Sequence, residues 1–214
     1  MSLLIMTTSS SVNDCSKKGF HFLKKLIWTF SALLVSILAA VFLIWLVLHP
    51  SKPEFYIKDA SVEELSLSIS LPAVRFLNST IQVTMVSKNP NSHVGIHYDQ
   101  LRIHAAYRGQ PITSDSALPQ FFQGKKDTNV LGAVLRGIRM PVAPGFGYEA
   151  GHDQIAGKLS LELKLEGKLR WKVGNWESGR YRVAVDCAAV IAARASGDVG
   201  GMNLMQGTQC STAV

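Results

Sequence analysis

Lys158-Leu159-Ser160-Leu161-Glu162-Leu163-Lys164-Leu165-Glu166 alternates strictly, with leucine at every second position and polar or charged residues between. Successive side chains of an extended strand point to opposite faces, so this spacing builds one apolar and one polar face. A helix of 3.6 residues per turn would scatter the same leucines around its axis. The period recurs upstream. Ile81, Val83 and Met85 alternate with Gln82 and Thr84, and Leu101, Ile103, Ala105 and Tyr107 lead into a turn at Arg108-Gly109. Tyr181 to Ile191 reads as apolar on both faces, with Val183, Val185 and Cys187 on one side, as in a central strand. Asn89-Pro90-Asn91, Gly109-Gln110-Pro111, the stretch from Pro141 to Gly147, and Gly174-Asn175 mark turns. Seven or so short strands separated by such turns predict an all-β fold, an antiparallel β-sandwich. No long amphipathic helix is expected after residue 50, and no internal repeat is seen.

Ahead of this domain, residues 26–48 run for 23 positions without a charge. As a helix they extend roughly 34 Å, enough to cross a hydrocarbon core of about 30 Å. Trp28 and Trp45 sit near the two ends, at headgroup level, and Pro50 and Pro53 stop the helix. A buried soluble helix would show a polar face, and here only Thr29, Ser31 and Ser36 interrupt the apolar run. A cleaved signal peptide would have a shorter apolar region and small residues before its cleavage site, whereas Leu46, Val47, Leu48 and His49 precede Pro50. Lys17, Lys18, Lys24 and Lys25 flank the N-terminal end, against Lys52 and Lys58 beyond the other, a bias that predicts a cytoplasmic N-terminus. The expected organisation is a largely disordered cytoplasmic tail over 1–25, a transmembrane helix over 26–48, a stiff stalk over 49–54, and an extracytoplasmic sandwich over 55–214.

The formal net charge is +7. Most of the charged residues follow the anchor, on the side that cytosolic RNA or chromatin does not reach, so nucleic acid is not expected as a partner. The lysines of the tail suit an anionic inner leaflet. Of the three cysteines, Cys15 falls on the reducing side, as a free thiol or a site of S-acylation. Cys187 and Cys210 share the oxidising side, where a disulfide between them and two free thiols are both open readings.

Motifs for catalysis are poor. The stretch from Gly145 to Ala150 has the spacing of a dinucleotide loop, but Pro141 and Pro144 stand where a strand should precede it and no clear helix is expected to follow. No nucleophile elbow or phosphate-binding loop occurs. His93 and His97 would share one face of an extended chain while His104, an odd number of residues on, points the other way, so no metal ligand set is expected. The expectation is a non-enzyme without cofactor or metal. Two features remain. Asn78-Ser79-Thr80 is an N-glycosylation acceptor on the side of the membrane where glycans are added. Arg170, Trp171, Lys172 and Trp176 interleave aromatic rings with positive charge, a pattern able to stack on sugars or to form a hairpin that covers the core.

Several segments in order resemble one family. They are Pro50-Ser51-Lys52-Pro53-Glu54-Phe55 directly after a single helix, Asn89-Pro90-Asn91, Gly95-Ile96-His97-Tyr98-Asp99, and Tyr107-Arg108-Gly109. Phe122-Gln123-Gly124-Lys125-Lys126, the stretch from Gly167 to Gly174, Cys187 and Cys210 complete the series. Together they resemble the plant NDR/HIN-like (harpin-induced, non-race-specific disease resistance-like) membrane proteins, whose outer part is a late embryogenesis abundant, LEA14-like β-sandwich. The resemblance implies a plasma-membrane protein connected with defence signalling, stress response or membrane-to-wall contact, with a plasmodesma or the endoplasmic reticulum as other locations. Its partners would be cell-wall polysaccharide or a receptor ectodomain. It implies no catalytic residue, and it makes Asn89, Pro90 and Asn91 a turn that shapes the sandwich. No Arg-Gly-Asp or Asn-Gly-Asp triplet occurs to carry an adhesion mechanism. A rival expectation is lipid handling, with the apolar segment from Val183 to Ile191 lining a groove for an acyl chain.

Overall fold

The computed structural model describes residues 6–48, 50–70, 74–192, 202–204 and 209–214. It forms two compact units, Met1–His49 and Pro50–Val214. The first is one helix, α1 (Met6–Leu48). Its Leu23–Leu43 segment has a mean hydropathy of 2.5, is not buried, and is long and apolar enough to cross a membrane. The expectation of a largely disordered tail over 1–25 is corrected for residues 6–25, which continue the helix. Once an apolar segment has nucleated a helix, each added residue gains a hydrogen bond. Ser, Thr and a single Gly lower propensity by no more than about 1 kcal/mol each. Residues 1–5 and His49 lie outside the described residues.

The second unit is built from β1 (Glu54–Ser70), β2 (Val74–Lys88), β3 (Gly95–Tyr107), β4 (Gln110–Pro111), β5 (Ser116–Ala117), β6 (Phe121–Gln123) and β7 (Thr128–Pro141). These are followed by α2 (Phe146–Ile155), β8 (Lys158–Val173), β9 (Trp176–Glu177), β10 (Tyr181–Ala192), β11 (Met202–Asn203) and β12 (Ser211–Ala213). One sheet has the order β11-β1-β2-β7. The other has β12-β10-β8-β3-β4, with β5 and β6 also on β3 and β9 on β8. Their ladders are antiparallel. The strands are longer and more numerous than the turn signals suggested, because several turns, such as Asn89-Pro90-Asn91, carry the chain from one sheet to the other instead of closing hairpins.

Alternation holds where expected. Leu159, Leu161, Leu163 and Leu165 are buried, as are Ile81, Val83 and Met85, and the two sheets close on them. It breaks at bulges. In β1 the inward set runs Phe55 and Ile57, then Ala60 and Val62, because the register shifts between Ile57 and Asp59. In β3 it runs Ile96 and Tyr98, then Leu101 and Ile103, because an extra residue is accommodated between Asp99 and Arg102, with Gln100 at φ 52°. An extra residue in one strand reverses the facing of everything after it. His97 and His104 therefore both face outward, correcting the expectation of opposite faces. His97 Nε2 lies 3.5 Å from Asp99 and His104 Nδ1 lies 3.1 Å from Asp115.

Three further expectations change. Residues 50–53 are not a free stalk. Ser51 N donates to Asn91 Oδ1 at 2.8 Å, Asn91 Nδ2 donates to Ser51 O at 2.7 Å, and Lys52 Nζ donates to Thr212 O at 2.9 Å. Pro53 is buried and Glu54 opens β1, so the domain begins as the chain leaves position 50. A strand and a helix, β7 and α2, flank Gly145 after all. Phe146 and Ala150 seat α2 on the sandwich, and Tyr107 meets Phe146 edge-on with ring centroids 5.4 Å apart. Its ten residues with two buried apolar side chains are too short for helical periodicity to stand out. Finally, β10 buries one face only, although Ala184, Ala188, Val190 and Ala192 make its other face largely apolar too. Val183, Val185, Cys187, Ala189 and Ile191 are packed in the core, whereas Arg182 and Asp186 are exposed opposite them. The segment expected to line a lipid groove is filled by the facing sheet.

Cys187 and Cys210 form a disulfide. Cys210 N also donates to Phe55 O at 2.9 Å, and β12 pairs with β10, so the C-terminal segment straps the two sheets together at one edge. Closing a loop across a sequence separation of 23 residues contributes roughly 3 kcal/mol in the chain-entropy account.

Candidate functional site

The expected interaction surface at Arg170, Trp171, Lys172 and Trp176 is divided by the pleat. Leu165, Leu169 and Trp171 are two or four residues apart along β8 and share the core face, so Trp171 is buried to 7 % exposure and does not present a ring to a ligand. Arg170 and Lys172 lie on the other face. Trp176 is 62 % exposed, but it stands opposite Val173 across the β8–β9 turn and so belongs to the core-facing side of the hairpin tip. Gly174 makes that turn at φ 57°.

The charged groups on the outer face form a network. Arg170 Nε donates to Asp99 Oδ2 at 3.0 Å and its terminal nitrogen donates to Glu177 at 2.6 Å. Arg180 Nε lies 3.5 Å from Asp99, and Lys172 Nζ lies 3.6 Å from Glu177 and 5.4 Å from the centre of the Phe122 ring. Arg170 is thus committed to holding β3, β8 and β9 together, and Asp99 is largely neutralised.

One step along the strands the balance differs. Lys168 stands between Asp99 on β3 and Arg182 on β10, and Glu166 stands between Arg102 on β3 and Ala184 on β10. Arg102, Lys168 and Arg182 are exposed, and among the described residues none has an ion-pair partner within 4 Å. They surround a depression of about 460 Å³ that also takes in Gln100, Glu166 and Gly167. The depression follows from the β3 bulge. Leu101 sinks into the core against Gly167, where an added Cβ would come within 2.6 Å of Leu101 Cδ2. The sequence offered basic residues here but not the register that gathers them.

Asn89 and Asn91 form a buried polar cluster. Asn89 is fully buried, with Nδ2 donating to Val94 O and Gly124 O, both at 2.8 Å. Its Oδ1 accepts from Asn91 N at 3.0 Å and Asn91 Nδ2 at 2.9 Å. Every hydrogen-bonding position of the amide is used, so the pair ties Ser51, the β2–β3 turn and the loop before β7 at one point. Asn78 lies on the outer face of β2 at a further bulge, where its Oδ1 accepts from Arg139 N at 2.8 Å. Arg139 has φ 51°.

The α2 edge also carries shifts of acidity. Burial, then a 2.7 Å hydrogen bond from its hydroxyl to Asp153, pushes Tyr107 up to about 12. The same bond, with Arg108 beside it, holds Asp153 below its ordinary value. Arg108 also reaches Glu149 at 3.0 Å, so these contacts dock α2. Among the described residues no group of three or more His, Cys, Asp or Glu side chains is placed to hold a metal ion.

Comparison with known proteins agrees with this architecture. The family model described as late embryogenesis abundant protein matches residues 84–188, from mid-β2 into β10. NDR1/HIN1-like protein 26 of Arabidopsis thaliana is 44% identical over 209 residues, covering 96% of this chain and 97% of that protein. NDR1/HIN1-like protein 1 of the same plant is 36% identical over 212 residues, covering 95% and 100%. A solution structure described as that of a late embryogenesis abundant (LEA) protein is 14% identical. It covers 79% of this chain and 89% of its own, with a TM-score of 0.31, so the fold rests on the strand order and register above. With matches that span nearly the whole of both chains and a LEA-type sandwich behind an apolar helix, the chain belongs to the NDR1/HIN1-like family.

Proposed function

We propose that this chain is a non-enzymatic, single-pass plasma-membrane protein, with its N-terminus in the cytoplasm and its sandwich outside. There it supports plant defence or stress signalling, or contact between membrane and wall. The observation that carries the reading is the Cys187–Cys210 disulfide on the far side of an apolar helix. Disulfides persist in oxidising compartments and are rare in the cytosol, and the lysine bias before the helix gives the same orientation. Family membership supports the defence and stress context. The outward position of Asn78 suits a glycan on this side of the membrane. In this reading the module presents a binding face to a wall polymer or a receptor ectodomain, and its chemistry is recognition.

Topology is the test. Full-length chain and Asn78→Gln are expressed in plant cells and compared for glycosidase-sensitive mobility. A shift lost in the variant is the expected result. If neither form shifts, protease protection of the C-terminus decides, and a cytoplasmic C-terminus overturns the orientation and the function together.

A further inference from the structure

We propose that the outer face of the larger sheet, around Arg102, Lys168 and Arg182, binds a linear acidic polysaccharide of the polyuronate class. The inference rests on the reading that places the sandwich outside the cytoplasm.

The three cations stand on three adjacent strands, β3, β8 and β10, about 4.8 Å apart from strand to strand. Backbone ladders hold their positions, so little order is lost on binding beyond the side chains themselves. The neighbouring carboxylate that would otherwise quench them, Asp99, already belongs to Arg170 and Arg180. Among the described residues that line the depression Glu166 is the one carboxylate, and with Gln100 it offers the acceptor and amide groups that sugar hydroxyls use. The bulge at Gln100 lowers the surface between Arg102 and Lys168, so an extended polymer can settle below the rim of the charges.

The chemistry of the face selects among polyanions. A protein partner would be expected to meet an apolar centre, and none of the side chains around this depression is a large exposed apolar one. Anionic lipids are concentrated in the cytoplasmic leaflet, and nucleic acid lies on the same side, whereas the disulfide puts this face on the oxidising side. A polyuronate supplies repeated carboxylates along an extended chain and hydroxyls between them.

The full chain is placed in nanodiscs of neutral phosphatidylcholine and titrated with de-esterified polygalacturonate, with fully methyl-esterified pectin as the uncharged comparison. Wild type is expected to bind the acid form and to lose binding as salt screens it. A cation at a polyanionic surface contributes on the order of fivefold, so Arg102→Gln/Lys168→Gln/Arg182→Gln together should weaken binding on the order of a hundredfold. Lys58→Gln/Lys125→Gln/Lys158→Gln removes the same charge from exposed positions elsewhere and should change binding a few-fold at most. An intact Cys187–Cys210 bond by peptide mass mapping shows that each variant is folded. The proposal is overturned if the face variant binds as wild type does, or if both triple variants lose binding equally. It is also overturned if wild type prefers the methyl ester, or captures phosphatidylserine vesicles but not polygalacturonate. An external domain by Asn78 glycosylation that does not bind polyuronate overturns this inference alone. A cytoplasmic C-terminus overturns the proposed function as well.

Discussion

Asn89→Ala is expected to destabilise the sandwich by roughly 3–5 kcal/mol, out of the 5–15 kcal/mol typical of a domain. The substitution strands two carbonyls, Val94 O and Gly124 O, and two donors on Asn91, all of which Asn89 now satisfies at 2.8–3.0 Å in a fully buried site. Leaving one buried polar group unpaired costs about 1–3 kcal/mol, so four independent losses would reach about 4–12 kcal/mol. The lower range is the expected one. The four losses share one turn, which can relax toward water, and coupled losses do not add. In urea unfolding of the full chain followed by tryptophan emission, a slope of about 2 kcal/mol/M turns this into a midpoint shift of roughly 1.5–2.5 M. Asn91→Ala should cost less alone. The double variant should cost less than the sum, because the two residues share the Asn91 Nδ2 to Asn89 Oδ1 bond. Asn89→Asp preserves volume but points an acceptor at two carbonyl oxygens. It should be at least as damaging near neutrality and recover part of its stability in acid, where the carboxyl holds a proton. A midpoint shift for Asn89→Ala below about 0.5 M with unchanged slope would refute the reasoning and show that water replaces the amide at little cost.

The two hairpin tryptophans should separate cleanly. Trp171→Ala is expected to cost about 3–5 kcal/mol as a buried aromatic truncation, and Trp176→Ala to stay within about 0.5 kcal/mol, both read by urea unfolding. Equal effects would contradict the facing assigned to them. For α2, hydrogen exchange of Phe146–Ile155 against pH tests the Tyr107–Asp153 contact. Asp153 is lowered in the folded state, so its contribution is present above its ordinary value of 3.8 and is lost as pH falls below that. Tyr107 is raised, so its contribution is complete below 10.0 and is lost as pH rises toward about 12. Exchange in α2 should therefore quicken at both extremes, and Tyr107→Phe should flatten the alkaline limb and shrink the acid one. A profile unchanged in that variant would place the docking energy elsewhere.

The facing of Trp171 was within reach of the sequence. It shares parity with Leu159 through Leu165, and extending that alternation by three strand pairs puts it in the core. Of the two readings of this stretch, Trp171 follows the hairpin that covers the core, whereas Trp176 stays exposed. The short helix α2 was less accessible, since two buried residues in ten give too weak a period to compete with Pro141 and Pro144 nearby.

Local chemistry alone determined the apolar segment and its lysine flank, the strand faces of β8 and central β2, and Asn89-Pro90-Asn91 as a turn. Charge, hydropathy and the two-residue pleat act between near neighbours in the chain, so their signals survive without a structure. The joining of Cys187 to Cys210 and the basic face at Arg102, Lys168 and Arg182 were decided by the tertiary structure. The bulges that reverse facing within β1 and β3 were decided there as well. A bulge forms where the partner strand and the core accommodate an extra residue, as Leu101 is accommodated by Gly167, 66 positions away in sequence. Register across strands is a collective property of the sheet, and it is what turned three dispersed cations into one site.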